Sequence, residues 1–212
     1  MGNIKTDAII VGDIGTNCYV FYDADTKQGA IVDPGADADR ICEFVERLNV
    51  KPEAILLTHG HFDHIMACDE VASHFGVKVY VYKDEKKMLE DEGLNLSSMY
   101  GGCVAHSDVS LNDGDVIYIA GQKVKVIHTP GHTSGGCCYY LEEAKMLFCG
   151  DTLFMESVGR TDFPTGSMSE IVRSVNEKLF CLPEDVKAFP GHGPSTSIGY
   201  EKVNNPYASG LF

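Results

Sequence analysis

Basic charge is what this chain has least of. Lys and Arg number 17 against 31 Asp and Glu, a formal net charge of −14. Phosphate-backbone recognition depends on clustered Lys and Arg, so nucleic acid is not expected as a partner. No apolar run approaches the ~20 residues of a membrane span. The N-terminus shows no basic segment followed by a long apolar stretch, so no membrane association or export is expected, and the cytoplasm is the expected location. None of the eight cysteines (Cys18, Cys42, Cys68, Cys103, Cys137, Cys138, Cys149 and Cys181) forms a C-x-x-C pair. Scattered through apparent strands and helices, they read as reduced thiols acting as small apolar residues. Low-complexity tracts, repeats and long linkers are also missing. A chain of 212 residues is long enough to bury a core without staples, and one domain over residues 1–212 is expected.

What is present is a succession of short apolar runs ending in turn signals. Residues 5–11 and 17–23 read as strands, followed by Ala30–Val32, which ends in Asp33-Pro34-Gly35. A helix is expected from Asp37 to Leu48, with Ile41, Phe44, Val45 and Leu48 on one face. Residues 54–58 read as a strand, Asp63 to Phe75 as a helix stopped by Gly76, Val77 to Tyr82 as a strand, and Lys83 to Glu92 as a charged helix. Residues 93–107, with three glycines and two adjacent serines, read as a surface loop or a lid. Strands are expected at 116–119, 123–128, 137–141, 145–149 and 186–189, with a helix at 170–179. This α+β order fits two mixed sheets packed together with helices outside, or one large sheet.

The chemistry concentrates at strand ends. His59, His61, Asp63 and His64 form H-x-H-x-D-H directly after the 54–58 strand. His132 follows the strand ending at Ile127, Asp151 follows Met146–Phe148, and His192 follows Val186–Phe189. Each of these three stands beside a glycine that permits a tight turn. If the four strands end on one edge, seven metal-ligand types converge. Neutral imidazole suits zinc and iron, while carboxylate suits a bridge or a harder ion.

Together, T-H-x-H-x-D-H at 58–64, T-P-G-H-T at 129–133, G-D-T at 150–152 and P-G-H-G at 190–193 resemble the metallo-β-lactamase superfamily. The glyoxalase II-like (hydroxyacylglutathione hydrolase-like) branch is the best match, over roughly Val11 to Gly193. The resemblance implies a four-layer αββα sandwich with a two-metal site at one edge. His59, His61 and His132 would hold one ion, Asp63, His64 and His192 the other, and Asp151 would bridge them. The ions would be divalent: zinc, with iron or manganese as alternatives. The implied reaction is hydrolysis of a small-molecule thioester or ester by water whose pKa the metal lowers to about 7, with Asp63 as the catalytic orienting group. Arg160, in Gly159-Arg160-Thr161-Asp162-Phe163, is a candidate to clamp a substrate carboxylate, or else to pair with Asp162. The helical C-terminal extension of full-length glyoxalase II is not expected here. Only 20 residues follow His192, and Lys202 is the one base among them, so strong glutathione recognition is not implied.

Several residues have plainer readings. Asp33 reads as a structural residue near the site floor and Cys149 as a packed thiol. His74 reads as a surface or satisfied histidine and His128 as a partner that orients a ligand, while His106 faces either solvent or substrate. The main alternative activity is a mononuclear iron persulfide dioxygenase using His59, His132 and Asp151. Lactone or β-lactam hydrolysis, RNA processing and a non-catalytic binding module are weaker alternatives.

Overall fold

The structure, a computed structural model, describes residues 2–208. Its first sheet comprises β1 (Ile4–Val11), β2 (Thr16–Asp23), β3 (Gln28–Val32), β4 (Lys51–Leu56), β5 (Lys78–Tyr82) and β6 (Val109–Leu111), in that spatial order. β1 to β3 form an antiparallel meander, and β3 to β6 are parallel. The second sheet is built from β7 (Val116–Ile119), β8 (Gln122–His128), β9 (Cys137–Leu141) and β10 (Met146–Gly150). A small ribbon of β11 (Leu153–Phe154) and β12 (Ser157–Val158) follows, and β13 (Lys187–Pro190) and β14 (Thr196–Ser197) then rejoin the sheet. The order across it is β14-β13-β10-β9-β8-β7, antiparallel except for the β10–β13 pair. Helices α1 (Ala38–Arg47), α2 (Phe62–Ile65), α3 (Cys68–Phe75) and α4 (Lys86–Leu89) occupy the first half. α5 (Met168–Arg173), prolonged by a π-helical turn at Ser174–Leu179, and α6 (Ile198–Asn204) occupy the second.

Strand alternation explains the layering. Cys18, Val20 and Tyr22 of β2 point to one face with Ile41 and Val45 of α1 and Val71 of α3. Tyr19 and Phe21, one residue out of phase, point to the other face and meet Val126, Tyr139 and Phe148 of the second sheet. β9 repeats the pattern: Tyr139 and Leu141 face inward, while Cys138 and Tyr140 lie under Ile171 and Val175. β2 and β9 are therefore buried on both faces and read as apolar runs rather than alternating ones. The result is a four-layer αββα sandwich. Phe148 stacks on Phe21 across the sheets at 5.3 Å, and each such buried ring contributes about 1.5–3 kcal/mol.

The structure departs from expectation in several places. The single helix expected over 63–75 is two helices, because the amide of Ala67 donates to the carbonyl of Pro34 and leaves the helical ladder. Lys83–Glu92 is a 3-10 turn plus the one-turn α4, with Glu85 turned inward and fully buried. β6, β14, the β11–β12 ribbon and α6 had no clear periodic signal at two to seven residues each. Among the described residues no helix is long and apolar enough to cross a membrane.

The 93–107 stretch is a wall with a tied base. Asn95 is fully buried and bonds the Cys103 carbonyl, and its own carbonyl accepts from the Phe62 amide. At its far end, Asp69 accepts from the His106 backbone at 2.9 Å and from its ring Nδ1 at 2.6 Å. The hydrogen bond to Asp69 raises the His106 pKa above the ordinary histidine value. Folding thus favours the protonated ring, so the stabilisation is complete below the unfolded value and is lost as pH rises through the folded one. In an NMR titration His106 should titrate above about 6.5, and Asp69→Asn should return it there. An unshifted midpoint in the unaltered chain would show that the tie is not formed.

Candidate metal centre

Strand direction brings the site residues together. β3 and β4 are parallel, so Asp33 and the 59–64 run leave the first sheet at the same edge. β10 and β13 are parallel, and β8 runs in the same sense because both β8 and β10 are antiparallel to β9. His132, Asp151 and His192 consequently leave the second sheet at one edge, and it faces the first cluster.

There, ligand atoms of His59, His61 and His132 lie within 4.8 Å of one another, and so do those of Asp63, His64 and His192. Nδ1 of His61 is 2.9 Å from Nε2 of His132. Asp151 lies between the groups: its Oδ2 is 3.6 Å from Nε2 of both His132 and His192, and its Oδ1 is 3.4 Å from Nε2 of His64. All seven residues singled out from the sequence are thus placed at one edge. Asp33, His59 and His64 also lie within 4.8 Å as a group, but Asp33 already accepts three hydrogen bonds.

Neighbouring groups set which nitrogen of each ring is free. Asp33, 1% exposed and at φ 52°, accepts from the Thr58 amide at 2.8 Å, the Thr58 hydroxyl at 2.6 Å and His64 Nδ1 at 3.0 Å. The Thr58 hydroxyl, having donated to Asp33, can accept from His59 Nδ1 at 3.1 Å. His132 Nδ1 donates to the Arg160 carbonyl at 2.7 Å. These bonds assign the proton to Nδ1 and direct the Nε2 lone pairs of His59, His64 and His132 into the cluster. Asp63 Oδ2 accepts from the Thr16 hydroxyl at 2.9 Å and lies 3.1 Å from His192 Nε2.

The donor set fits divalent cations. His59 Nε2 and His61 Nε2 are buried polar atoms with no hydrogen-bond partner among the described residues, a costly arrangement for a purely structural cluster. Burial drives His59 well below the ordinary histidine pKa and His61 down to about 3, so both rings are neutral. Burial also opposes charge on His64 and His192, but Asp63 and Asp151 more than reverse it. Asp63, which burial alone would raise, is brought below the usual carboxylate range by His64 and His192. Protons on these imidazoles and a cation compete for the same carboxylates, so acid and metal act as antagonists here.

Glu85 carried no sequence signal, and Gly191, read there as a turn glycine, has a second role. Glu85 is fully buried and accepts from the Gly60 amide and the Gly135 amide, each at 2.8 Å. It fastens the His59–His61 loop to the loop carrying His132. Gly191 lies so close to the cluster that a Cβ there would be 2.2 Å from Asp151 Oδ1 and 2.5 Å from His64 Cε1. Other residues lie outside. Cys149 Sγ faces the Leu153 carbonyl at 3.3 Å. His74 pairs with Glu46 and His106 with Asp69. His128 stacks on Tyr82 and bonds the Ser134 carbonyl, rather than orienting a ligand. The Arg160 guanidinium is exposed and pairs with Asp162 at 2.7 and 2.6 Å, the second of its two expected roles.

A zinc- or iron-type donor set at the facing edges of an αββα sandwich defines a class of metal-dependent enzyme. The chain belongs to the metallo-β-lactamase superfamily, whose family model matches residues 11–192. It is similar to the probable metallo-hydrolase YqgX of Bacillus subtilis, 38% identical over 95% of this chain and 96% of that protein. It is also similar to the hydroxyacylglutathione hydrolase GloC of Haemophilus influenzae, 36% identical over 90% of this chain and 92% of that protein. Among solved structures, the BLEG-1 B3 metallo-β-lactamase matches with a TM-score of 0.92 at 40% identity, covering 97% of this chain and 100% of that one. TTHA1623 in a di-iron-bound form matches at 0.83 and 29% identity, covering 95% and 99%.

Gly191→Ala should displace Asp151 and His64 and reduce metal content while circular dichroism stays native. Full metal occupancy in that variant would show that the close approach is not required. Glu85→Ala leaves two buried amides without acceptors, at about 1–3 kcal/mol each. Its melting temperature and metal affinity should fall together, and a variant that lost neither would show the two loops to be held by other contacts.

Proposed function

We propose that this chain is a metal-dependent hydrolase that cleaves a small-molecule thioester or ester with two divalent ions. The observation that carries the reading is Asp151: one carboxylate oxygen is equally distant, 3.6 Å, from a histidine of each trio. That position suits a bridge between two ions and is not needed by a single-ion triad of His59, His132 and Asp151. His59, His61 and His132 would hold one ion, and Asp63, His64 and His192 the other. Such ions supply a water that ionises near neutral pH and a Lewis acid for a carbonyl oxygen. Nitrogen-rich ligation is compatible with zinc and with iron, and zinc is the ion we assign.

The chain's own residues do the positioning. A cavity of about 590 Å³ opens onto His61, Asp63, His132, Asp151 and His192, and a substrate carbonyl entering it meets the cluster from this open side. Asp63 is ionised at neutral pH, so its carboxylate accepts a hydrogen bond from the attacking water and fixes its orientation. A thiol leaving group has a pKa near 8.5 and departs as thiolate without prior protonation. An ionised Asp63 is therefore sufficient for a thioester, whereas an amide would demand a proton donor. The Asp33 carboxylate, the Thr58 hydroxyl and the Arg160 backbone carbonyl hold the rings against reorientation during turnover.

Elemental analysis of protein purified without added metal, followed by thioester hydrolysis with the same sample, tests the reading. Two zincs per chain with hydrolysis are expected, and alanine at His59 and His132 should cost more than about 100-fold in kcat/KM. One iron per chain, with oxygen uptake on a persulfide of glutathione, would replace the hydrolase by the dioxygenase. Undiminished hydrolysis in the alanine variants would remove the metal centre from the mechanism.

A further inference from the structure

The surfaces leading away from the metal centre have a chemical character of their own. The 590 Å³ cavity is walled by Ile14, Leu96, Met99 and Tyr100 on one side and by Phe154 and Phe163 on the other. Among its lining residues Arg160 is the one Lys or Arg. That guanidinium is solvent-exposed and paired: two of its nitrogens bond Asp162, and it lies over the Phe163 ring at 3.9 Å. A second cavity, of about 390 Å³, adjoins the first through Ile14, Phe62, Asp63 and Tyr100. Its lining adds Asp13, Asp37 and Glu70 and includes no Lys or Arg. The partition between the cavities is a stacked pair, Phe62 and Tyr100, at 4.4 Å and 19°. A substrate carbonyl at the cluster therefore has one arm directed along apolar walls and the other toward apolar and acidic ones. A carboxylate on either arm would lose water with no free cation to receive it, a penalty rather than a gain. An uncharged aliphatic or aromatic arm gains from burial along the same walls.

Building on the hydrolase reading, we propose that the enzyme selects thioesters and esters whose acyl and leaving arms are both uncharged, with an apolar acyl group of several carbons. It discriminates against thiols that carry carboxylates, the tripeptide thiol glutathione included. The acyl group lies against Met99, Tyr100, Phe154 and Phe163, and the exposed tip of the 93–107 stretch contributes the outer part of that wall. Met99 is 88% and Tyr100 61% exposed, apolar surface that an apolar acyl chain would cover.

Matched substrates test this on the metal-replete full chain. The same hexanoyl group is presented on N-acetylcysteamine, which is neutral, and on glutathione, which carries two carboxylates. Acetyl versions of both probe chain length. The neutral hexanoyl thioester should exceed its glutathione counterpart by about tenfold or more in kcat/KM, mostly through KM, because a buried unpaired charge costs more than the ~1.4 kcal/mol of one decade. On N-acetylcysteamine, hexanoyl should exceed acetyl by up to about fourfold per buried methylene. Equal or faster cleavage of the glutathione thioester, or equal rates for acetyl and hexanoyl, would overturn the proposal while leaving the hydrolase reading in place. No cleavage of any of the four would remove the hydrolase reading itself.

Discussion

The Asp33 carboxylate is the contact on which the rest of the site depends. It stands at the end of β3 in a left-handed conformation that a side chain adopts only when its surroundings compensate. Its two oxygens accept three hydrogen bonds, from the amide and hydroxyl of Thr58 and from the ring of His64. One buried group thereby joins the ends of two parallel strands, holds the His64 ring of the second trio and, through the Thr58 hydroxyl, the His59 ring of the first. Without it, the His64 and His59 rings would lose the contacts that fix their Nδ1 sides.

The sandwich places that contact where it is useful. Three apolar layers, two under helices and one between the sheets, bury the central strands on both faces. The carboxyl ends of β3, β4, β8, β10 and β13 emerge from this rigid base at one edge, and the residues that follow are polar because they have left the core. The same strand directions that settle the hydrogen-bond ladder settle which side chains can meet. Site and fold are one solution to the packing problem, not a site added to a scaffold.

Much of this was legible from the chain's residues. H-x-H-x-D-H and the later His132, Asp151 and His192 are recognisable because ligand types cluster at the ends of apolar runs, and the three turn positions carry glycine. The long strands were also legible, since hydrophobic runs of five or more residues leave few alternatives. What stayed hidden depends on contacts between distant segments. Glu85 resembles any acid in a charged stretch until its carboxylate is seen between Gly60 and Gly135. Arg160 drew attention for its guanidinium, whereas its backbone carbonyl is what touches the site. The break at Ala67 follows from the carbonyl of Pro34, 33 residues earlier. No periodicity reports a hydrogen bond of that kind.

The two trios differ in how tightly the protein encloses them. His59, His61 and His132 are at most 5% exposed, and Glu85 locks the loops that carry them. In the other trio, the side chains of Asp63 and His192 are 15% and 25% exposed. The inner cage therefore keeps its shape at little entropic cost, while the outer one remains open to exchange with solvent. An ion held by the first trio would sit in a preformed nest, and one held by the second would lie nearer to solvent. On that reading, an ion in the enclosed trio would belong to the architecture, and one in the open trio would answer to the surrounding metal pool.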